Sequence, residues 1–348
     1  MTVSPSARPF EWEAGAPESD VEAASLERGA SALVSSTTRT GLTSAVVAVH
    51  RGRIVCEHYG EGHDEASTFI SWSMAKSMVG ALCGVAIDEG LLSLDAPASV
   101  TAWANDERRD ITLRHLLQMT SGLSWVEDYI DGEASHVIDM LFGSGTDDVA
   151  SYAASRPSQF RPGEQWLYSS GTTNIISRLL GDALGDTHGS HKNIESYLHR
   201  NLFDAIGMSS ASPKFDASGT FIGSSYVYAT ARDFARFGAL FLNNGEWASR
   251  QVIPREWVDF SRVSVAHDDD NGFDYGAHWW TWPGEPDSLV ALGYEGQYIW
   301  VVPQRDLVLV RLGKTDAALR NNLTADLLSL VRAFPTSQRL MDKSGDRG

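Results

Sequence analysis

Residues 71–87 read SWSMAKSMVGALCGVAI, an apolar helical stretch with a lysine in its first turn. Met74, Met78, Val79, Leu82, Cys83, Val85, Ala86 and Ile87 leave little polar face, so this helix is expected to be buried nearly all round. Lys76 would then be desolvated, unless its stem snorkels to the helix edge. Five lysines stand against 23 arginines in the chain, so a lysine here is unlike casual surface decoration. Ser73 lies three residues earlier, and positions i and i+3 share a helix face, so hydroxyl and amine can meet. A free lysine titrates at about 10.4, and burial lowers that value because it disfavours the charged form. A neutral amine beside a serine is a general base, and the helix start supplies backbone amides and a positive dipole end for developing negative charge.

The rest of the composition narrows the context. A chain of 348 residues, 43% hydrophobic and 10% aromatic, can bury a large core in one domain or two joined ones. Its formal charge of -17 gives neither nucleic acid nor an anionic membrane surface the positive field it needs. The opening MTVSPSARPFEWEAGAPESD lacks a basic and then apolar leader pattern, and no later run approaches the ~18 apolar residues of a spanning helix, so a cytoplasmic protein is expected. Cys56 and Cys83 fall in apolar segments and read as reduced, buried small hydrophobes.

GLTSAVVAVHRGRIVCEHYGEG carries two β-branched runs around Arg51-Gly52-Arg53, a hairpin signal. SLVALGYEGQYIWVVPQRDLVLVRLG carries two or three more strands, broken by Gly293, Gly296 and the turn Pro303-Gln304-Arg305-Asp306. Between them, 110–117, 174–184 and 230–242 have helical period, and 318–333 reads as a closing amphipathic helix. The first twenty or so residues read as a loosely packed arm, and a polar tail closes the chain. The predicted class is α+β: an antiparallel sheet from both chain ends, flanked by helices, with a mostly helical insertion. Residues 1–70 and 222–348 would form the sheet subdomain and 71–221 the helical one, with the active site in the cleft between them.

SxxK alone recurs by chance, so its company matters. Ser-Met-Ala-Lys followed by a small, apolar helix resembles the nucleophile motif of penicillin-binding proteins and serine β-lactamases. FRPGEQWLYSSGTTNIISRLLG, residues 160–181, resembles the tyrosine motif of the class C β-lactamase and esterase branch. Tyr168 matches the tyrosine, and Ser170 stands where that motif has Asn. Tyr294-Glu295-Gly296 falls where the third motif is expected and matches in Gly296 and strand context. ITLRHLLQMTSGLSW, YVYATARDFARFGALFLNNGEW, VIPREWV and GYEGQYIWVVPQRDLVLV also resemble the family, so the likeness spans roughly residues 45–312. GLSWVEDYIDGEAS and GYEGQ look most like the branch of 6-aminohexanoate-dimer hydrolase and related carboxylesterases, in which Tyr129 matches a second, substrate-facing tyrosine.

The resemblance implies a β-lactamase/DD-peptidase-like fold and a serine hydrolase acting on a small ester or linear amide. Ser73 would attack the carbonyl while Lys76 and Tyr168 relay its proton to the leaving group. The backbone amides of Ser73 and Gln297 would form the oxyanion hole, and Tyr129, Ser170, Tyr294, Glu295 and Gly296 would face the substrate; the aromatic run 275–282 reads first as core, and its place beside a polar loop also lets Trp279 or Trp282 form an apolar pocket wall. An ionised Glu295 in the cleft would disfavour the carboxylate of a penicillin. A β-lactamase or D-amino peptidase, and a catalytically silent ligand-binding module, remain alternative readings, and the oligomeric state is left open. The chemistry needs no cofactor or metal: HExxH, paired-cysteine zinc spacing, GxSxG, GxGxxG and the phosphate-loop pattern are all absent from the sequence. His267-Asp268-Asp269-Asp270-Asn271-Gly272 resembles a calcium loop only superficially, with His278 where the bidentate glutamate belongs, and reads as a solvated acidic turn.

Overall fold

The computed structural model describes residues 12–128 and 135–336. The chain opens with β1 (Glu13–Ala14), α1 (Ala23–Ser35), β2 (Leu42–His50), β3 (Arg53–Tyr59) and β4 (Thr68–Ile70). A helical stretch follows: α2 (Met74–Asp88), α3 (Leu113–Leu117), α4 (His136–Phe142), α5 (Val149–Ala154), α6 (Ser170–Ala183) and α7 (Lys192–Leu198). Then come β5 (Ser212–Pro213), β6 (Val227–Thr230), α8 (Ala231–Leu242), β7 (Glu246–Trp247), β8 (Arg250–Gln251) and α9 (Arg255–Arg262). The chain closes with β9 (Ala266–Asp268), β10 (Phe273–Tyr275), β11 (Trp280–Thr281), β12 (Leu289–Gly293), β13 (Gln297–Val302), β14 (Leu307–Lys314) and α10 (Arg320–Arg332).

Among the described residues, nine strands form one sheet in the order β1-β3-β2-β14-β13-β12-β11-β10-β9. Every pairing is antiparallel except β1 with β3. The central strands are nearly continuous apolar runs because both sheet faces are covered. Side chains alternate across a strand, so Ala45, Val47 and Val49 of β2 enter one core while Val46 and Ala48 enter the other. The first core holds Phe234 and Phe237 of α8 with Met78 and Leu82 of α2; the second holds Leu26 and Leu33 of α1 with Leu323 and Leu327 of α10. The expected hairpin is present: Arg51 and Gly52 both have positive φ, 50° and 76°, between the paired His50 and Arg53. Two left-handed residues make the turn whose twist suits a two-residue β-hairpin.

SLVALGYEGQYIWVVPQRDLVLVRLG holds three strands of this sheet, β12, β13 and β14, within the expected two or three, and three more that were not expected precede it. The additional ones, β9, β10 and β11, are two or three residues long and lie in an aromatic and acidic stretch without a β-branched run. The arm also differs from expectation, since Glu13 and Ala14 pair with Arg53 and Ile54 at the sheet edge. Cys56 and Cys83 are both buried and free. No helix among the described residues is long and apolar enough to cross a membrane.

α2 is the hub between sheet and helices. Of its fifteen residues, twelve are buried, and Ser77 donates to the His278 carbonyl at 2.7 Å. His278 in turn donates from Nδ1 to the Leu117 carbonyl at 2.8 Å and accepts at Nε2 from Thr173 at 3.0 Å, which fixes its tautomer. Burial pulls its pKa down to about 3, so it is a neutral brace joining α2, the α3 end and α6. Trp257 donates to the Gly80 carbonyl at 2.8 Å, and its ring lies where a Cβ on Gly84 would come within 2.4 Å.

A glycine in mid-helix ordinarily costs ~1 kcal/mol against alanine. At Gly84 the pinned indole reverses the sign, because overpacking a close-packed core costs about 1–3 kcal/mol. Gly84→Ala is therefore expected to destabilise the protein, read as a lower midpoint in urea unfolding; an unchanged or raised midpoint would contradict the packing described.

Candidate active site

Ser73 is the residue immediately before α2, and its hydroxyl makes no capping bond to that helix. Trp72 before it has φ 45°, a left-handed conformation that is strained for a bulky side chain. That turn is held from outside. Ser71 donates from its backbone to the Val227 carbonyl at 2.8 Å, and its hydroxyl donates to the Ser225 carbonyl at 3.1 Å. The Trp72 ring stands edge-on to Tyr294, with centroids 5.6 Å apart.

Lys76 does not snorkel: it is 2% exposed. Its ammonium donates to Ser73 Oγ at 2.8 Å, Ser170 Oγ at 2.8 Å and the Ser224 carbonyl at 3.0 Å, using all three protons. Burial lowers its pKa to about 8, against the opposing pull of the Glu127 charge. A sizeable neutral fraction is therefore present near pH 8, as a general base requires.

Ser170 fills the role in which an asparagine was expected, as the polar contact to the lysine. Its hydroxyl donates to Glu127 Oε1 in a short bond, and its backbone N–H donates to Glu127 Oε2 at 2.8 Å. Trp125 Nε1 also donates to that carboxylate. The backbone bond comes from the first residue of α6, where a helix N-terminus favours an anion. A continuous path thus runs from Ser73 through Lys76 and Ser170 to Glu127. Sequence reasoning missed Glu127, because it lies 43 residues from Ser170 in an acidic loop without a spacing signal.

Tyr168 hydrogen-bonds Ser73, and burial raises its phenol well above the ordinary value, so it is a protonated donor at neutral pH. Its ring stacks on Trp280 at 5.4 Å and meets Tyr275 edge-on at 5.9 Å. The Lys76 ammonium sits 5.0 Å from its centroid.

These groups open into a cleft of about 340 Å³ whose wall includes Ser73, Tyr168, Trp280, Gly293, Tyr294 and Gly296. Trp280, not Trp279, lines it. Trp279 points to the other sheet face, where it stacks on Phe237 at 5.7 Å and is 1% exposed. Gln297, whose backbone amide was expected in the oxyanion hole, is buried and does not line the cleft, and its side-chain amide donates to the Tyr294 and Gly313 carbonyls. Gly293 makes the close approach to the turn before Ser73 instead, since a Cβ there would lie 2.6 Å from the Ser71 carbonyl oxygen. Glu295 is turned away as well: its φ is 60°, and its carboxylate pairs with Lys314 at 3.4 Å. Tyr129 lies outside the described residues.

The acidity expected from Glu295 comes from other residues. Glu127, Asp128, Asp268 and Asp270 line the cleft, against the single guanidinium of Arg320 among the described lining residues. Burial raises the carboxyl of Asp268 above its ordinary value. The turn at 268–272 is thus a cleft wall as well as a solvated loop. The group of metal-ligand type found among the described residues, Glu27, Cys56 and His58, is not part of this cleft, and His58 there already bonds Glu27 at 3.1 Å.

The family model described as Beta-lactamase matches residues 26–331. A 6-aminohexanoate-dimer hydrolase from Paenarthrobacter ureafaciens is 25% identical over 289 residues, 78% of this chain and 72% of that protein. Among solved structures, a Bacillus anthracis protein provisionally named 6-aminohexanoate-dimer hydrolase superposes with a TM-score of 0.76 at 21% identity, covering 94% of this chain and 89% of that one. EstCE1, a hydrolase with promiscuous acyltransferase activity, superposes with a TM-score of 0.68 at 15% identity, covering 89% of this chain and 98% of its own. The β-lactamase/DD-peptidase fold expected from the sequence is thereby established.

Lys76 accepts a proton only when neutral, so kcat/KM should rise with pH through about 8. The Glu127 charge raises the Lys76 pKa. Glu127→Gln should therefore move the midpoint of that rise to lower pH, and a midpoint that stays put or moves up in the pH–rate profile would disconnect Glu127 from the base.

Proposed function

The chain belongs to the Beta-lactamase family, and from that premise we propose that it is a serine hydrolase cleaving a small ester or linear amide that carries a positively charged amino group. The observation that carries the reading is the buried Lys76 ammonium, 2.8 Å from both Ser73 Oγ and Ser170 Oγ. Neutral Lys76 takes the Ser73 proton as Oγ adds to the substrate carbonyl. The resulting oxyanion is held by the Ser73 amide at the start of α2 and by the Tyr294 amide, which follows Gly293 at its close approach to Ser71. Tyr168, protonated and bonded to Ser73, passes a proton to the departing nitrogen or oxygen, and the Lys76 ammonium replaces it. The C–N or C–O bond breaks and an acyl-Ser73 ester remains. Water then attacks that ester, with the same groups acting in reverse.

The substrate class follows from the cleft charge. A carboxylate 4 Å from one of the lining carboxylates is repelled by about 1 kcal/mol in bulk water and about 4 kcal/mol at an intermediate dielectric. At ~1.4 kcal/mol per decade of binding, that is a penalty from several-fold to roughly a thousand-fold. An ammonium gains over the same range. This favours amino-terminated amides over penicillin G, which carries a carboxylate and no ammonium; a 6-aminohexanoate dimer, the compound in the name of the Paenarthrobacter relative, carries one of each. The intact set Ser73, Lys76 and Tyr168 favours turnover over a silent binding module.

Wild-type kcat/KM should be higher for p-nitrophenyl butyrate than for nitrocefin, and higher still for a p-nitrophenyl ester with a terminal amine. The last advantage should shrink as salt screens the cleft. Ser73→Ala should abolish turnover of all three. Faster hydrolysis of nitrocefin than of the esters would make the protein a β-lactamase, and activity surviving in Ser73→Ala would remove the mechanism.

A further inference from the structure

Arg311 lies on β14 at 0% exposure, and among the described residues no carboxylate pairs with it. Its donors all end on neutral oxygens. Nε reaches Thr43 Oγ1 at 3.1 Å; Nη2 reaches the Leu42 carbonyl at 2.7 Å and Thr315 Oγ1 at 2.8 Å; Nη1 reaches the Gly296 carbonyl at 2.7 Å and the Glu295 carbonyl at 3.3 Å. Burying a guanidinium without a counter-ion is costly, and an apolar side chain of similar volume often serves stability better. Burial lowers its pKa only to about 10, so the charge is kept at neutral pH.

The segment it grips is the turn beside the nucleophile. Glu295 and Gly296 are consecutive left-handed residues, with φ of 60° and 83°, and the first of them is not glycine. Such a turn persists only where its surroundings impose it. The peptide groups also connect in series. Arg311 donates to the Glu295 carbonyl; the N–H of that same peptide, on Gly296, donates to the Gly293 carbonyl at 3.1 Å; and the N–H of the Gly293 peptide belongs to Tyr294. Each hydrogen bond in such a chain polarises the next, and a buried cation at its head acts in the same sense on every link.

We infer that Arg311 is a positioning residue for oxyanion stabilisation: it holds the 294–296 turn and polarises the peptide groups from Glu295 back to the one between Gly293 and Tyr294. This rests on the hydrolase reading above. It does not make Arg311 catalytic, since it touches neither Ser73 nor the cleft.

An interaction that matters only to the tetrahedral state lowers kcat and leaves KM alone. Removing one oxyanion donor outright costs ~100-fold to ~1,000-fold, so loosening one donor with Arg311→Met should lower kcat by about 10-fold to 100-fold. KM for a p-nitrophenyl ester should stay within about two-fold, because ground-state binding is untouched. The inhibition constant of an aryl boronic acid, which forms a tetrahedral adduct on serine, should weaken by the same factor as kcat. Arg311→Lys should recover part of the loss, since a single ammonium can serve one carbonyl but not the fork. Thr43→Val and Thr315→Val each remove one hydroxyl partner and leave the charge in place; they should show a several-fold loss with the same split, and they carry the test if Arg311→Met does not fold. Wild-type kcat and boronate affinity in the folded variants would overturn the inference while leaving the hydrolase reading intact, as would a rise in KM that accounts for the whole loss. A wild-type protein that neither turns over esters nor binds the boronate would overturn the hydrolase reading and this inference with it.

Discussion

The molecule is organised around one primary amine kept out of water. Lys76 can act as a base only if its charged form is disfavoured, and the energy for that comes from desolvation. Desolvation requires α2 to be wrapped on nearly every side, which explains a helix of small and apolar residues at the meeting point of sheet and helical region. It also requires every ammonium proton to have an acceptor, and Ser73, Ser170 and the Ser224 carbonyl supply them. These three acceptors come from the turn into α2, from α6 and from the segment leading into β6, so satisfying one amine fixes three parts of the chain against each other.

Desolvation alone would leave no control over where the lysine titrates. Glu127 opposes it: its charge favours the ammonium through space, while its carboxylate bonds the hydroxyl of Ser170 that in turn accepts from the lysine. An asparagine at 170 could offer Lys76 a carbonyl oxygen, but it could not pass a hydroxyl proton toward a carboxylate on the other side. The change that looked like a departure from the family pattern therefore has a local partner that makes sense of it. Tyr168 feels the same burial with the opposite result. A phenol pushed upward stays protonated, which suits the proposed division of labour, with the lysine as base and the tyrosine as donor.

Much of this was legible in the sequence. β2, β3, β13 and β14 could be read because strands covered on both faces become β-branched runs, and Ser73, Lys76 and Tyr168 because their spacing sits in motifs. What could not be read depends on proximity in space. Glu127 and Ser170 meet across 43 residues. Asp268 and Asp270 read as a solvated turn, and only the sheet order brings β9 and β10 to the cleft. β9 to β11 are too short to show a period. LGYEGQ holds two glycines three residues apart, and the sequence does not say which one meets the helix. The family resemblance points to Gly296, whereas the 2.6 Å clearance to the Ser71 oxygen belongs to Gly293. The strand context read at Tyr294-Glu295-Gly296 assumes extended backbone, and the Glu295 φ of 60° removes that premise.

The acidic wall and the base are not independent. Glu127 lines the cleft and also holds up the Lys76 pKa. A cation bound beside Glu127 acts on Lys76 with the opposite sign, favouring the neutral amine, whereas an anion there raises the lysine further and keeps it protonated. One carboxylate therefore couples recognition to activation. In the proposed hydrolase, a substrate with an ammonium group in the cleft would meet a better base than the empty protein has, and one with a carboxylate a worse one. Charge selection in such a cleft acts on the chemical step as well as on binding, so kcat as well as KM should carry the signature of substrate charge.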